Sequence, residues 1–402
     1  MGELSSIESA AAERAQAAPM LDQVQSWSGI NSGSRNLAGL SAMADLLAGE
    51  LAALPGELRL LDPAAADQME ATGAVSPLEH GRNLHLAVRP QAPLQLLFTG
   101  HYDTVFAADH PFQQVFWRSE GVLGGPGVAD MKGGIAVMLA ALRAVEASPL
   151  ADAVGYEVVL NSDEEVGSPG SAALIAAAAR GKRAALTYEP SALPDGTLAG
   201  ARPGSGNFSL FVQGRSAHAG RNPEDGRNAL VAAADLALRL AKARDPALKI
   251  NPARIDGGGP NNVVPDRAVL RVNLRPTTPD DQARAQLLLD ATIAAAAAEH
   301  DVTITAHGGF GRPPKPMSPQ AERLFDLVRR CGADLGQEIG WKATGGVCDG
   351  NNIAACGVPN VDTMGVRGGA IHSAEEYLIV ESLAERAALS ALTILRLAGE
   401  QG

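Results

Sequence analysis

Residues 93–103 read Pro-Leu-Gln-Leu-Leu-Phe-Thr-Gly-His-Tyr-Asp, and this stretch decides the class of fold. The apolar run Pro93 to Phe98 predicts a buried strand, because short apolar runs that end at a turn residue are typical of strands. Two polar side chains with catalytic potential, His101 and Asp103, follow directly after this strand. The sequence therefore predicts chemistry at the carboxyl end of a buried strand.

The same arrangement recurs further along the chain. Tyr156 to Leu160 is a second apolar run that leads into acidic residues, and Ala184 to Tyr188 is a third, followed by Glu189. Another strand is predicted over 359–364, before a glycine-rich loop that carries His372. Strands that alternate with helices, with polar residues at their ends, indicate an open α/β sheet with its site at the carboxyl edge.

Residues 204–313 have a different pattern. Alternating apolar residues predict strands near Phe208 and Leu270, and apolar residues at helical spacing predict helices over 228–241 and 278–300. The order strand, helix, two strands, helix, strand is that of the β-α-β-β-α-β arrangement. We therefore predict an inserted α+β domain of ferredoxin-like order.

Two domains are also expected from the length, since 402 residues exceed one core of ordinary size. We predict a discontinuous metal-binding catalytic domain over 1–203 and 314–402, and an inserted lid and dimerisation domain over 204–313. Glycine-rich stretches near the two ends of the insert, 203–206 and 308–311, are predicted hinges.

Composition narrows the possible partners. The net charge of -12 and the lack of a clustered basic stripe argue against nucleic-acid binding. No run approaches the roughly 20 apolar residues of a membrane span, and the first 20 residues do not resemble a signal peptide. Cys331, Cys348 and Cys356 lack zinc-finger spacing and fit a reduced compartment. We expect a cytoplasmic protein with a small substrate and no membrane partner.

Five side chains that follow predicted strands or glycine-rich loops can hold a pair of metal ions. Oxygen and nitrogen ligands bind zinc while positions stay open for water and substrate. The five candidates are His101, Asp130, Glu165, Glu189 and His372. A lone His-x-Asp pair is more often an ordinary polar strand end, so the prediction depends on the whole set. Asp103 is a candidate to orient His101, because zinc-bound imidazoles usually donate their other nitrogen to a carboxylate or carbonyl.

Glu164 and Glu165 are the candidates for combined metal binding and proton transfer. Adjacent glutamates usually form a solvated turn, but these two directly follow an apolar strand. At such a point one carboxylate can bind metal while its neighbour takes a proton from the attacking water and passes it to the leaving amine. We assign Glu165 as the ligand and Glu164 as the base.

Eight motifs follow one another along the chain: Gly100-His101-Tyr102-Asp103-Thr104-Val105, Ala129-Asp130-Met131-Lys132-Gly133-Gly134, Asp163-Glu164-Glu165-Val166-Gly167-Ser168, Glu189-Pro190, Gly214-Arg215-Ser216-Ala217-His218-Ala219-Gly220, Asn261-Asn262-Val263-Val264-Pro265, Gly345-Gly346-Val347-Cys348-Asp349 and His372-Ser373-Ala374-Glu375. In their order and spacing these motifs resemble those of the M20 metallopeptidases, and within that family they are most similar to the glutamate carboxypeptidase branch. They resemble acetylornithine deacetylases, succinyl-diaminopimelate desuccinylases and aminoacylases more distantly.

The resemblance implies a zinc-peptidase-like catalytic domain, with a mixed central sheet flanked by helices. It implies two divalent metal ions, zinc in the first place and cobalt or manganese as alternatives. Asp130 is expected to bridge them, with His101 and Glu189 completing one site and Glu165 and His372 the other. The peptide bond after Asp130 is expected to be cis.

The resemblance also implies roles for the inserted domain. His218 is expected to reach across a homodimer interface and stabilise the oxyanion in the partner's site, with help from Asn262. Arg275 is expected to grip the free carboxylate of the substrate, a task that suits a planar guanidinium. Gly346 is expected to contact the substrate. Three other arginines are weaker candidates for lining the pocket: Arg202, Arg221 and Arg312.

The predicted function is hydrolysis of an amide bond next to a free carboxylate, by a carboxypeptidase that can release C-terminal glutamate. Its substrate is a small peptide or an N-acyl amino acid. An N-acyl-amino-acid deacylase that uses the same metals is an alternative, and the sequence does not separate the two. A metal-free relative that only binds a carboxylated ligand is a more remote alternative.

Overall fold

The computed structural model describes residues 3–399. The helices in this part of the chain are α1 Ser6–Gln16, α2 Met20–Ser28, α3 Leu37–Leu51, α4 Gly133–Glu146, α5 Ala172–Ala179, α6 Ala229–Lys242, α7 Pro279–His300, α8 Pro319–Asp334, α9 Asp349–Ala355 and α10 Glu381–Gly399. The strands are β1 Glu57–Leu61, β2 Ala66–Met69, β3 Val75–Leu78, β4 Asn83–Val88, β5 Leu94–His101, β6 Phe116–Ser119, β7 Val122–Gly124, β8 Val154–Asn161, β9 Ala184–Thr187, β10 Leu198–Ala199, β11 Ser205–Gln213, β12 Leu248–Gly257, β13 Arg267–Pro276, β14 Thr303–Arg312, β15 Trp341–Lys342, β16 Asn360–Val361, β17 Gly368–Gly369 and β18 Tyr377–Ile379.

A mixed six-stranded sheet of order β1-β4-β8-β5-β9-β16 forms the centre of the molecule. β4 pairs antiparallel with both β1 and β8, whereas β8, β5, β9 and β16 run parallel to one another. The carboxyl ends of these four parallel strands therefore lie along one edge. The predicted strand over 359–364 is shorter than expected, since only Asn360 and Val361 pair with β9.

Both faces of the central sheet are buried, which explains why its parallel strands are apolar throughout. In β5, Leu96 and Phe98 belong to the core that includes α4, α8 and α10, whereas Leu97 packs with α5 and α9 on the opposite face. β8 alternates in the same way, with Val158 on the first side and Val159 on the second. The mixed α/β class predicted from the sequence is confirmed.

The segment 204–313 forms a separate four-stranded antiparallel sheet of order β12-β13-β11-β14. α6 and α7 pack on this sheet around an apolar cluster that includes Leu236, Leu270 and Leu289. The order of elements along the chain is the predicted β-α-β-β-α-β. We keep the boundaries 204–313 as a proposal for the extent of an inserted domain.

The two chain connections to this segment lie side by side. Arg202 and Lys315 exchange backbone hydrogen bonds of 2.9 and 3.0 Å, which pairs the outgoing connection with the returning one. The buried Asn351 side-chain amide donates to the carbonyl oxygens of both Pro203 and Pro313, at 2.8 and 2.7 Å. Both connections are therefore held at one point next to α9.

Among residues 3–399, no helix combines the length and the apolar character that crossing a membrane requires.

Candidate metal centre

Three neighbouring parallel strands deliver most of the predicted ligands to one place. β5 ends at His101, the turn after β8 carries Glu164 and Glu165, and Glu189 follows two residues after β9. Because the carboxyl ends of parallel strands meet at the same edge of the sheet, these side chains emerge together. His101 is 1% exposed, so it is directed into the protein rather than into solvent.

Asp130 enters the site from a kinked turn that precedes α4. The predicted cis peptide between Asp130 and Met131 is present. The Glu376 carboxylate accepts hydrogen bonds from the backbone N–H groups of Gly127, Ala129 and Asp130, at 3.0–3.1 Å. This buried carboxylate holds the turn in place and so fixes where Asp130 lies.

His372 completes the group from a loop after β17. Its Nε2 lies 3.3 Å from Asp130 Oδ2 and 3.1 Å from Glu165 Oε2. The other oxygen, Asp130 Oδ1, lies 3.1 Å from Nε2 of His101, and Glu189 Oε2 lies 3.7 Å from the same nitrogen. The two oxygens of Asp130 therefore face two different sets of potential metal-ligand atoms.

These separations fit divalent metal ions. Nitrogen and oxygen ligands about 2.0–2.1 Å from a tetrahedral zinc ion are about 3.3 Å from each other. The donor atoms around Asp130 are 3.1–3.7 Å apart. Ligand atoms of His101, Asp130 and Glu165 also lie within 4.8 Å of one another, and so do those of His101, Glu164 and Glu189.

The charge balance of the site favours cations as well. Burial raises the pKa of Glu164 and of Glu189 to about 8 and that of Glu165 to about 7. Burial acts in the same direction on Asp130, but hydrogen bonds from His101 and His372 outweigh it and lower the pKa of that carboxyl. Ionised carboxylates this close together need positive charge between them, and metal binding requires deprotonated ligands. The residues present therefore fit a pair of divalent ions.

Asp103 connects the strand end to the turn with the two glutamates. His101 Nδ1 lies 3.1 Å from the Asp103 carbonyl oxygen and 3.3 Å from its Oδ1. The Asp103 carboxylate also accepts the backbone N–H groups of Glu164 and Glu165, at 3.1 and 3.3 Å. The fully buried Asp103 can therefore orient an imidazole ligand and the following turn together.

The family of the chain follows from comparison with known proteins. A family model described as "Peptidase family M20/M25/M40" matches residues 97–396. The chain belongs to peptidase family M20/M25/M40. It is an M20 metallohydrolase, and members of this family are typically dinuclear metal enzymes.

Relatives of this M20 enzyme include peptidases and deacylases. Carboxypeptidase G2 of Pseudomonas sp. (strain RS-16) is 31% identical over 330 residues, covering 79% of this chain and 77% of that protein. Succinyl-diaminopimelate desuccinylase of Xanthomonas oryzae pv. oryzae (strain PXO99A) is 30% identical over 327 residues, covering 75% of this chain and 83% of that protein. An M20 family metallo-carboxypeptidase from Sulfolobus solfataricus shares the fold with a TM-score of 0.73 at 15% identity, over 94% of this chain and 99% of that one.

A pocket of about 240 Å³ opens next to the metal-ligand candidates of this M20 enzyme. Glu164, the predicted base, and Gly346, the predicted substrate contact, both line it. Arg275 reaches the same loop from β13, because its Nη1 donates to the carbonyl oxygen of Gly345 at 2.9 Å. The guanidinium therefore contacts the glycine-rich loop, although Arg275 itself does not line the pocket.

His218 and Asn262 lie away from this pocket, on an exposed part of the segment 204–313. His218 pairs with Val263 in an isolated bridge, and its Nδ1 accepts the backbone N–H groups of Gly220 and Arg221 at 3.1 and 3.2 Å. These contacts occupy Nδ1 of an exposed imidazole. In this arrangement neither residue lines the pocket of its own subunit.

Arg312, a weak candidate in the sequence, contacts the predicted base Glu164 directly. It is 3% exposed, and its Nη2 donates to Glu164 Oε1 at 2.6 Å and to the Glu164 carbonyl oxygen at 3.0 Å. Its Nη1 donates to Asp349 Oδ1 at 2.7 Å. Arg312 is the last residue of β14, so it ties the inserted segment to the predicted base.

Glu376 supports the Asp130 turn, and no sequence motif identifies it. The resemblance to M20 enzymes extends to Glu375, yet Glu375 is exposed and pairs with Arg118, whereas Glu376 is buried under the Asp130 turn. The available signal is the position of Glu376 directly before a short strand, where its side chain turns inward. Burial raises the pKa of Glu376 to about 7, against three hydrogen bonds from backbone N–H groups.

Glu376→Gln should lower the free energy of unfolding by about 2–3 kcal/mol. Both carboxylate oxygens of Glu376 accept hydrogen bonds from backbone N–H groups, and the glutamine side chain would place an NH₂ group, which cannot accept them, where one of these oxygens lies. The displaced turn should also weaken metal binding. Glu375→Gln is the matched control, since removing an exposed ion pair costs little. Chemical denaturation and metal titration of both variants test this, and equal effects would contradict it.

Proposed function

We propose that this M20 metallohydrolase cleaves an amide bond next to a free carboxylate in small peptides or N-acyl amino acids. One observation supports this most directly: two sets of donors flank Asp130 at a sheet edge where Glu164 lines an open pocket. We assign His101, Asp130 and Glu189 to one ion and Asp130, Glu165 and His372 to the other, with zinc as the expected metal and cobalt or manganese as alternatives.

The ions, when bound, would polarise the amide carbonyl and favour ionisation of the attacking water. Glu164 takes a proton from that water as it attacks the carbonyl carbon, and then delivers the proton to the departing amine. Asp103 orients the His101 imidazole and holds the turn that carries Glu164 and Glu165. Arg312 holds the Glu164 carboxylate at the pocket through one of its oxygens.

Arg275 is the proposed partner of the free carboxylate next to the scissile bond. Its Nε donates to Asn273 Oδ1 at 2.9 Å and its Nη1 to the Gly345 carbonyl oxygen at 2.9 Å, which holds the guanidinium against the loop that carries Gly346. A fixed planar guanidinium can bind a carboxylate through two parallel hydrogen bonds. Gly346, next in the same loop, offers backbone groups without a side chain in the way.

We also propose a homodimer formed through segment 204–313, in which His218 and Asn262 complete the partner's site. Leu238 on α6 and Leu287 on α7 are exposed large apolar side chains, which an interface would cover. The three cysteines are free thiols, which agrees with a reducing compartment, and we propose the cytoplasm.

Metal removal and a matched substrate pair test the proposal. We expect a chelator to abolish hydrolysis and zinc, cobalt or manganese to restore it, because the metal ions are the only Lewis acid in the proposed reaction. The substrates are peptidyl and N-acyl amino acids, each with a free and an amidated carboxylate, and only the free acids should be cleaved. Cleavage that survives chelation, or that ignores amidation, would contradict the proposal.

The same screen separates the two kinds of amide hydrolase. The 31% identity to carboxypeptidase G2 favours release of a C-terminal residue, whereas the 30% identity to succinyl-diaminopimelate desuccinylase favours removal of an acyl group. Preferential cleavage of peptidyl amino acids would identify a carboxypeptidase, and preferential cleavage of simple N-acyl amino acids a deacylase.

A further inference from the structure

A second cavity, of about 450 Å³, lies at the edge of the central sheet opposite the metal-ligand candidates. Ala184, the first residue of β9, and Pro359, directly before β16, both line it, so it lies at the amino ends of these parallel strands. Glu189 lies beyond the carboxyl end of β9, roughly 16 Å away for five residues of extended chain. A small molecule in the second cavity therefore does not reach the metal-ligand candidates.

Basic side chains dominate the lining of the second cavity. Its charged members are one carboxylate and four cations: Asp326, Lys182, Arg183, Arg323 and Arg330. The chain as a whole has 33 lysines and arginines against 45 aspartates and glutamates. The second cavity is therefore a local concentration of positive charge on an acidic protein.

Two of these charged side chains have partners outside the lining. Lys182 Nζ donates to Glu157 Oε1 at 2.7 Å, and Arg329 Nη2 donates to Asp326 Oδ1 at 3.0 Å. Neither Glu157 nor Arg329 lines the cavity. The charges of Lys182 and Asp326 are thus compensated within the protein, and neither of them decides what the cavity binds.

The guanidinium groups of Arg183 and Arg323 have no such partner. Within residues 3–399, neither side chain makes a hydrogen bond or an ion pair. Both residues are exposed, and they come from different elements, the connection between α5 and β9 and the helix α8. A planar guanidinium binds a phosphate or a carboxylate through two parallel hydrogen bonds. Two such groups in one lining fit a ligand with two negative charges.

Buried apolar side chains form another part of the lining. Leu324 and Leu327 of α8 and Leu397 of α10 all line the cavity and are no more than 6% exposed. The cavity volume corresponds to about 15 water molecules at roughly 30 Å³ each. An inorganic anion alone would leave most of this apolar lining in contact with water. A ligand with an apolar ring system would cover it, and guanidinium groups also stack on flat rings.

We propose that the second cavity is a binding site for a small organic dianion with a ring system. Arg183 and Arg323 pair with its negative charges, and Leu324, Leu327 and Leu397 contact its ring. Nucleoside phosphates and aromatic dicarboxylates share this chemistry. The inference does not depend on the proposed hydrolysis, since the second cavity shares no lining residue with the pocket beside the metal-ligand candidates.

Four probe compounds test the proposal and separate the two sources of ligand. Adenosine monophosphate has a ring system and a dianionic phosphate, adenosine lacks the phosphate, and ribose 5-phosphate lacks the base. Isophthalate carries two carboxylates on one ring. In calorimetry with the zinc-loaded protein, we expect adenosine monophosphate or isophthalate to bind at least about tenfold more tightly than both adenosine and ribose 5-phosphate. The tighter compound identifies the acid group, and a smaller preference for both compounds would overturn the proposal.

Variants assign the binding to the second cavity. Arg183→Met and Arg323→Met should each lower the affinity for the tighter compound by about 10- to 100-fold, as for a lost hydrogen bond to a charged group. Arg180→Met is the matched control, because it removes an exposed arginine of the same connection that does not line the cavity. It should change the affinity by less than about twofold.

The same variants exclude binding of the probes at the metal ions. The three substituted side chains are exposed, so each variant should fold like the wild type. A phosphate or carboxylate bound to the metal ions would not depend on Arg183 or Arg323, which line only the second cavity. Equal affinities in the wild type, Arg183→Met and Arg323→Met would therefore overturn the proposal, whatever the outcome of the hydrolysis screen.

Discussion

Glu164→Gln should lower kcat by about 10²- to 10⁴-fold, the range that general acid–base catalysis contributes. Glutamine has almost the same volume and can still accept the hydrogen bond from Arg312, so the pocket should keep its shape. It cannot take a proton from water, and the attack on the amide carbonyl then lacks a base. Steady-state kinetics with the best substrate from the screen measures this loss.

The metal content of the Glu164→Gln variant shows whether its kcat falls because a base is missing or because a metal ligand is missing. Ligand atoms of Glu164 lie near those of His101 and Glu189, so a ligand role is the competing assignment. Two bound ions in an inactive variant would support the base, and loss of one ion would make Glu164 a ligand instead. Glu322→Gln, an exposed glutamate on α8, is the control and should keep both kcat and metal. Unchanged kcat in Glu164→Gln would contradict the assignment of the base.

His218→Ala should lower kcat by about 10²- to 10³-fold while metal binding stays intact, because it removes an oxyanion donor remote from the ligands. His300→Ala, at the end of α7 in the same segment, is the matched control and should have kcat close to wild type. A His218→Ala variant with wild-type kcat would exclude the proposed role.

Mixing two inactive variants tests whether His218 acts on the partner's site. A heterodimer of Glu164→Gln and His218→Ala subunits has one site with both an intact Glu164 and an intact His218. Random reassociation makes half of the dimers mixed, each with one working site, so about 25% of wild-type activity should return. If His218 acted within its own subunit, the mixture would stay inactive.

The grouping of the metal-ligand candidates could be predicted from the sequence because three of the five follow recognisable apolar strands. Once His101, Glu165 and Glu189 are placed after parallel strands, the geometry of a sheet brings them to one edge. Glycine-rich motifs then identify the loops that add Asp130 and His372. Their roles as ligands remain predictions that metal analysis must test.

Other parts of the site depend on contacts that no local pattern records. Arg312 meets Glu164 across 148 residues of sequence, and that pairing requires the inserted segment to lie against the catalytic part. The choice between Glu375 and Glu376 depends on which side chain faces the Asp130 turn. Adjacent identical residues differ here only in tertiary position, so composition and spacing cannot separate them.

The side-by-side connections at Arg202 and Lys315 limit how segment 204–313 can move. Arg271 and His307 of the segment also contact Met69 and Asp67 of the hairpin β2–β3, so the simplest motion is a rotation of the segment together with this hairpin about one axis near the two connections. β11 extends nine residues from it, roughly 30 Å, toward the end that carries His218. At that radius a turn of about 10° displaces the far end by about 5 Å. Arg312 and Arg202, close to the axis, would hardly shift, so the segment would act as a lever that moves His218 while the contacts around Glu164 stay intact.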